Sequence, residues 1–405
     1  MNIYFDNAAT TALDPEVLDA MTPYLTRHFG NPSSAHSRGQ EARQAVEAAR
    51  RTVADLLNAS PDEITFTGGA TESDNLAIAG SIRGLGIRHA ISSAIEHKAV
   101  LQPLTQSSPE AGVRLHWLPL DTRGRPDYDY LDKLLQHHRS DGHPTTLVSL
   151  MQGNNEIGNL NDIESIGWLC RHHNALFHSD TVQTLGRYAF DLADLPVDFI
   201  VGSAHKFHGP KGVGFLYTRK RIPLPALLHG GNQERGLRPG TENVAGIVGL
   251  AKALEISYRD RLTNQAHLLG LKNRLIECLQ KIEPRVKFNG TSHLPNESMY
   301  TVLSASLPPL PSGEPLVRAL DAVGIAVSGG SACSNLIGGG SHVLKAIDAR
   351  TDWETIRISF SKDNKQAEVD ALVRTLASLF TIDPMRKVDI ESITGLAGSI
   401  GRETS

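Results

Sequence analysis

Cysteine is scarce. Only Cys170, Cys278 and Cys333 occur in 405 residues, far apart and odd in number. That excludes a disulfide framework and offers no zinc-ligand spacing. An excess of one charge is missing too. The 40 basic residues stand against 44 acidic ones, for a net charge of -4. This is too balanced for a protein that grips phosphate backbones, so no direct nucleic-acid binding is expected. No apolar run approaches the span of a membrane helix. The start, MNIYFDNAATTALDPE, carries an acid within its first six residues and lacks a basic-then-apolar opening, so a signal peptide is not expected. No internal repeat is present, and the low-complexity content is one stretch, SGGSACSNLIGGGS (328–341). These exclusions leave a soluble, cytoplasmic, globular protein. Its length and its 40% hydrophobic content suit an enzyme of two or three domains. Seventeen histidines are many, but the pairs His137–His138 and His172–His173 sit in polar stretches and read as solvated helix faces.

From about residue 40 the chain alternates helical and strand patterns. Val46, Ala49, Val53, Leu56 and Leu57 recur at three- and four-residue spacing, which makes an amphipathic helix. ITFT (64–67) is a short strand ended by Gly68-Gly69, and TESDNLAIAGSI (71–82) reads as a helix. HAISSA (89–94), RLHWL (114–118), TTLVSLM (145–151), NALFHSD (174–180), VDFIVGS (197–203) and GVGFLY (212–217) read as strands, with helices such as DIESIGWLC (162–170) between several of them. Such alternation implies an α/β layer with a mostly parallel sheet, whose ligands collect beyond the carboxyl ends of the strands. Around 222–242 the pattern breaks into Gly- and Pro-rich loop. Beyond it come a long helix carrying Leu268, Leu271, Leu275, Leu279 and Ile282, a strand-like SMYTVLSASL (298–307), and helices near PLVRALDAVG (315–324) and AEVDALVRTLASLF (367–380). The division expected is a large domain at 15–258, a smaller α+β domain from 1–14 and 259–380, and a weakly patterned tail at 381–405.

Three motifs carry chemistry. In GGATESDNLA (68–77) two glycines end a strand and Thr71 opens a helix with Glu72 and Asp74 in its first turn. Free N–H groups and the positive dipole end suit a phosphate, although a capped helix with acids placed for the dipole would read the same way. No Lys-Ser/Thr pair follows the glycines, so this is not a Walker A loop, and GPKGVG (209–214) runs into a strand instead of a helix. In HSDTVQ (178–183), Asp180 ends a strand, where a carboxylate can hold a ring nitrogen protonated or simply cap a turn. In GSAHKFHGPKG (202–212), Lys206 follows a strand among Ser203, His205 and small residues. It fits a lysine that condenses with an aldehyde cofactor, or an ordinary loop lysine. Together, a phosphate cradle, a pyridinium partner and an amine are the three parts pyridoxal phosphate needs.

At this point a family resemblance emerges. The chain resembles a cysteine desulfurase of the NifS/IscS type, in the class V aminotransferase family of fold-type I pyridoxal phosphate-dependent transferases. The similarity runs through DNAATT (6–11), GNPSSAH (30–36), GGATESDNLA (68–77), EHKAV (96–100), NNEIG (154–158), HSDTVQ (178–183), SAHKFHGPKG (203–212), HGGNQERGLRPGTEN (229–243), SGGSACS (328–334) and IRISF (356–360). The resemblance implies pyridoxal 5'-phosphate as cofactor, with Lys206 as the lysine joined to it. It implies Asp180 as partner of the pyridine nitrogen, His97 as the residue stacked on the ring, and Gln183 near the ring hydroxyl. Ala70, Thr71, Ser203 and His205 would form the phosphate pocket, and Thr241 would contact the phosphate bound by the other subunit of a homodimer. Asn155 and Arg357 would lie near the substrate carboxylate, and Cys333 would be the catalytic cysteine.

The implied reaction takes sulfur from L-cysteine, leaves L-alanine, and forms a persulfide on Cys333 for a sulfur-acceptor protein, supplying iron–sulfur clusters or thiolated nucleotides. Arg357 suits a two-pronged carboxylate pair and Lys206 a general base. Five glycines among the fourteen residues around Cys333 suit a mobile loop. Read alone, Cys333 is also compatible with a buried small residue, as expected of Cys170 and Cys278. LIGGG (336–340), Gln152-Gly153 and the last 25 residues depart from the family pattern, which bears on the acceptor more than on the chemistry. The rival readings are a selenocysteine lyase or another lyase or aminotransferase of the class, and a non-catalytic phosphate-binding scaffold.

Overall fold

A computed structural model describes residues 2–139, 142–220, 222–329, 340–349 and 352–380. Cys333 and the 381–405 tail lie outside the described residues. The chain divides into two units. The larger holds Ala8–Asn155 and Asn159–Thr263; the smaller holds Met1–Asn7, Glu156–Gly158 and the chain from Asn264 on. Relative to the expected division, the second boundary moves about five residues later. Residues 8–14 go with the larger unit. The reason is local: Thr11 N–H donates to the His205 carbonyl, and Asp14 N–H to the His208 carbonyl.

In chain order the elements begin with strand β1 (Ile3–Tyr4), then helices α1 (Pro15–Thr26) and α2 (Ser37–Leu56), and strand β2 (Ile64–Thr67). They continue with α3 (Ala70–Gly84), β3 (His89–Ser93), α4 (Lys98–Glu110), β4 (Arg114–Leu118), α5 (Tyr128–His137) and β5 (Thr146–Ser149). Next come α6 (Ile163–His172), β6 (Leu176–Asp180), β7 (Phe199–Ser203), β8 (Gly214–Thr218) and α7 (Val244–Arg259). The smaller unit adds α8 (Arg261–Ile282), β9 (Lys287–Phe288), β10 (Val302–Leu307), α9 (Leu316–Ala322), β11 (Ile325–Ala326), β12 (Ser328–Gly329), α10 (His342–Ala346), β13 (Glu354–Ser359) and α11 (Gln366–Phe380).

The larger unit is a seven-stranded sheet in the order β2-β8-β7-β6-β5-β3-β4. All its pairings are parallel except those of β8. The central strands β5, β6 and β7 are buried along their whole length, as a sheet covered by helices on both faces requires. Short polar residues start the helices. Asp14 precedes Pro15 and caps α1, Asp127 caps α5, Asp162 caps α6 and Asn243 caps α7. The smaller unit is an antiparallel sheet, β12-β13-β10-β9, with β1 paired to β11 beside it. No helix among the described residues is long and apolar enough to cross a membrane.

Two histidine readings change. His137 is exposed, but its neighbour His138 is half-buried and stacks on His89. His172 is exposed, whereas His173 is buried and its Nε2 lies 2.7 Å from Asp132 Oδ1. Sequence polarity around a pair does not reveal which of two adjacent helical residues turns inward. Cys170 and Cys278 are buried on α6 and α8, as small apolar residues would be.

Candidate active site

The carboxyl ends of the parallel strands open onto a cleft of about 760 Å³. Its floor comes from several turns. β2 stops at Gly68-Gly69, and Gly69 has φ +147°, a backbone state that side chains rarely tolerate. Gly69 caps α3 without a side chain, so the first-turn N–H groups of Ala70 and Thr71 are left to the cleft. Glu72 braces the turn: its carboxylate accepts from Gly68 N–H at 2.7 Å and from Arg238 Nε at 2.8 Å. The start of α3 is thus a helix end without a side-chain cap, a feature that suits an anion.

β6 delivers Asp180 to the cleft. One carboxylate oxygen accepts from Val182 N–H at 2.9 Å. Burial pushes this carboxyl up, while the Val182 N–H and the nearby His97 and Lys206 pull it back. β7 ends in the turn that carries Lys206, whose Nζ donates to the Ala8 and Ala9 carbonyls at 2.7 and 2.8 Å. The same turn carries His205, whose Nδ1 lies 3.1 Å from Thr10 Oγ1. Burial, then Lys206 and Lys211, bring its pKa down to about 4, so it stays a neutral ring. His97 caps α4, with Nδ1 accepting from Ala99 N–H at 3.1 Å, which puts the ring proton on Nε2. Gln183 Nε2 donates to the Ala8 carbonyl at 3.0 Å, and its buried Oε1 has no partner among the described residues.

Nine expected residues therefore line one cleft: Ala70, Thr71, His97, Asn155, Asp180, Gln183, Ser203, His205 and Lys206. Three do not. Thr241 is exposed, in the loop before α7, and does not line its own chain's cleft. Arg357 is on β13 of the smaller unit, where its Nη2 donates to Asp6 Oδ1 at 2.7 Å and to Ser328 Oγ at 2.9 Å. Cys333 is outside the described residues.

Sequence reasoning missed a buried group behind Asp180. Asp74 points inward instead of serving the helix dipole, is fully buried, and lies 3.3 Å from His178 Nε2. His178 Nδ1 is 2.8 Å from Ser149 Oγ. Glu96, also buried, accepts from Met151 N–H at 3.0 Å. Asp74, His178 and Glu96 stand inside motifs already noted, GGATESDNLA, HSDTVQ and EHKAV, but their burial has no sequence signal. The donor set suits pyridoxal phosphate: a helix end for its phosphate, a buried carboxylate for its ring nitrogen, an amine for its aldehyde.

The chain is similar to known proteins along most of its length. The aminotransferase class-V family profile matches residues 3–372. Cysteine desulfurase IscS of Dictyoglomus turgidum is 39% identical over 395 residues, covering 95% of this chain and 97% of the relative. A solved NifS-like protein superposes with a TM-score of 0.83 at 38% identity, covering 93% of this chain and 99% of that one. The apo cysteine desulfurase of Thermococcus onnurineus has a TM-score of 0.81 at 26% identity, with 94% of each chain covered.

Proposed function

We propose, from the premise that this chain belongs to the aminotransferase class-V family, that it is a pyridoxal phosphate-dependent cysteine desulfurase with Cys333 as sulfur carrier. The observation that carries the reading is one cleft lined by an uncapped helix end, a buried Asp180 and the amine of Lys206. When bound, pyridoxal phosphate supplies an aldehyde that takes up the amino acid and an electron-accepting ring that acidifies its Cα–H.

The residues of this chain supply the rest. The first turn of α3 and the neighbouring Ser203 and His205 bind the phosphate, and neutral His205 does so as a hydrogen-bond donor. Asp180, with one oxygen on Val182 N–H, keeps the other for a protonated ring nitrogen. His97 covers the ring, its orientation fixed by the bond from Ala99 N–H. Lys206 Nζ holds the cofactor at rest and, once released, moves the Cα proton as general base. Arg357 receives the α-carboxylate. Its guanidinium is held beforehand by Asp6 and Ser328, which lowers the entropic cost of that pairing. The Cys333 thiolate takes the substrate sulfur as a persulfide, alanine leaves, and an acceptor thiol draws the sulfur onward. Exposed Thr241 completes the phosphate site of a second copy in a homodimer.

The test is mass spectrometry after incubation with L-cysteine alone. One sulfur atom should appear on Cys333 while alanine is released, and Lys206→Ala should lose the yellow cofactor absorbance. Desulfuration that survives Cys333→Ser would overturn the reading.

A further inference from the structure

We propose that His89, His116 and His138 form a binding site for a divalent transition cation of the zinc, nickel or copper class. The site is assembled at the edge of the larger unit's sheet, from β3, β4 and the C-terminal end of α5. β3 and β4 run parallel with Ile91 opposite His116, so His89 and His116 lie on the same face, one step apart diagonally. His89 Nδ1 and His116 Nε2 are 3.3 Å apart. Two nitrogens each ~2.1 Å from a tetrahedral zinc ion are about 3.4 Å apart, so this pair already has the spacing of two ligands. His138 ends α5 and brings the third ring, with a centroid 3.6 Å from that of His89 and 5.0 Å from that of His116. The candidate ligand nitrogens of all three lie within 4.8 Å of one another. Parallel stacking of His138 on His89 is not a ligating pose, so binding requires one of these rings to swing about its side-chain torsions.

All three rings are half-buried. The facing nitrogens of His89 and His116 share a hydrogen bond, so binding also requires the proton of that bond to move to the donor ring's other nitrogen. Arg114 and Arg88 also act on His89, and their positive charge opposes any cation. With no carboxylate in the set, the site therefore selects ions that bind imidazole strongly, in the order of affinity that peaks at copper, and rejects magnesium and calcium. None of the three histidines lines the cleft described above.

The experiment uses full-length Cys333→Ser protein, so that this thiol does not compete. After chelator treatment, Zn²⁺ is titrated by equilibrium dialysis with elemental analysis. Saturation at one ion per chain is expected. His116→Ala and His138→Ala should each weaken it by at least the ~10–100-fold that losing a ligand's supporting partner costs. His172→Ala, at an exposed histidine elsewhere, should leave it unchanged. Zn²⁺ should also raise the melting temperature of the Cys333→Ser protein and not that of the same protein carrying His116→Ala. No saturable binding, or binding that the His116→Ala and His138→Ala changes leave intact, overturns the site.

Discussion

Asp74 has neighbours that suit a neutral carboxyl. It is fully buried, neither oxygen has a hydrogen-bond partner among the described residues, and Asp180 and Glu96 press on it with like charge. Burial and those charges push Asp74 well above the ordinary carboxyl range, and burial does the same to Glu96. His178 is brought down to about 3 by burial and is uncharged. A protonated Asp74 beside an uncharged His178, 3.3 Å away, leaves Asp180 to carry the negative charge of the cluster. Asp74→Asn, uncharged and of the same shape, should then keep cofactor affinity and absorbance unchanged. Asp180→Asn should lose a charge-assisted bond of about 1.5–3 kcal/mol, roughly 10–100-fold in cofactor affinity. Titration of each variant with pyridoxal phosphate, followed by absorbance, distinguishes them. Equal losses in both would show that Asp74 is ionised and shares the load.

At the scale of elements, the turn proposed to bind phosphate depends on a glycine from another strand. A Cβ on Gly214 of β8 would come 2.8 Å from Gly69 Cα and 2.5 Å from the Gly202 carbonyl oxygen. Gly214→Ala should push the turn away from its position at a cost of about 1–3 kcal/mol. Affinity for pyridoxal phosphate should fall, while affinity for unphosphorylated pyridoxal stays, which paired titrations would reveal. A second device ties the 229–243 loop to the sheet. Arg50 donates to both oxygens of Glu234 at 2.7 and 2.8 Å, and Phe66 N–H donates to the same carboxylate. Both charges are buried, so Glu234→Gln should cost about 3–5 kcal/mol in denaturant unfolding. A loss below ~1 kcal/mol would show that the pair is solvent-screened. The strands of this sheet were legible because short apolar-rich runs end in glycine or polar turns; RLHWL is β4 residue for residue. Helix α4 was not, because Pro103 and Pro109 lie inside it and argue against a helix by propensity. The two-residue strands β1, β9, β11 and β12 are too short to show any period.

On the scale of the molecule, pH acts through a buried lysine. Lys272 on α8 donates to Ser298 Oγ and the Met299 carbonyl, and burial brings it from 10.5 down to about 7. Between those values the unfolded chain binds more protons than the folded one, so stability rises with pH through that window. Lys272→Met should flatten the rise. Measured by urea unfolding near pH ~7 and ~9.5, the natural chain should gain about 1–3 kcal/mol relative to the variant. Parallel profiles would show that Lys272 stays charged in the fold.

The division of information follows from range. Composition, the alternation of strands and helices, and the residues at strand ends are local properties, and they were enough to single out the glycine turn before Thr71, Asp180 and Lys206 as parts of one proposed pyridoxal phosphate site; Ala70 and the phosphate roles of Ser203 and His205 came with the family resemblance. Burial and partnership are properties of elements distant in the chain that meet only on folding. The pairing of Asp74 with His178, the inward turn of His173 and the meeting of His89, His116 and His138 are of that kind. No spacing rule encodes them, because each contact joins side chains whose separation in sequence is set by intervening helices and loops.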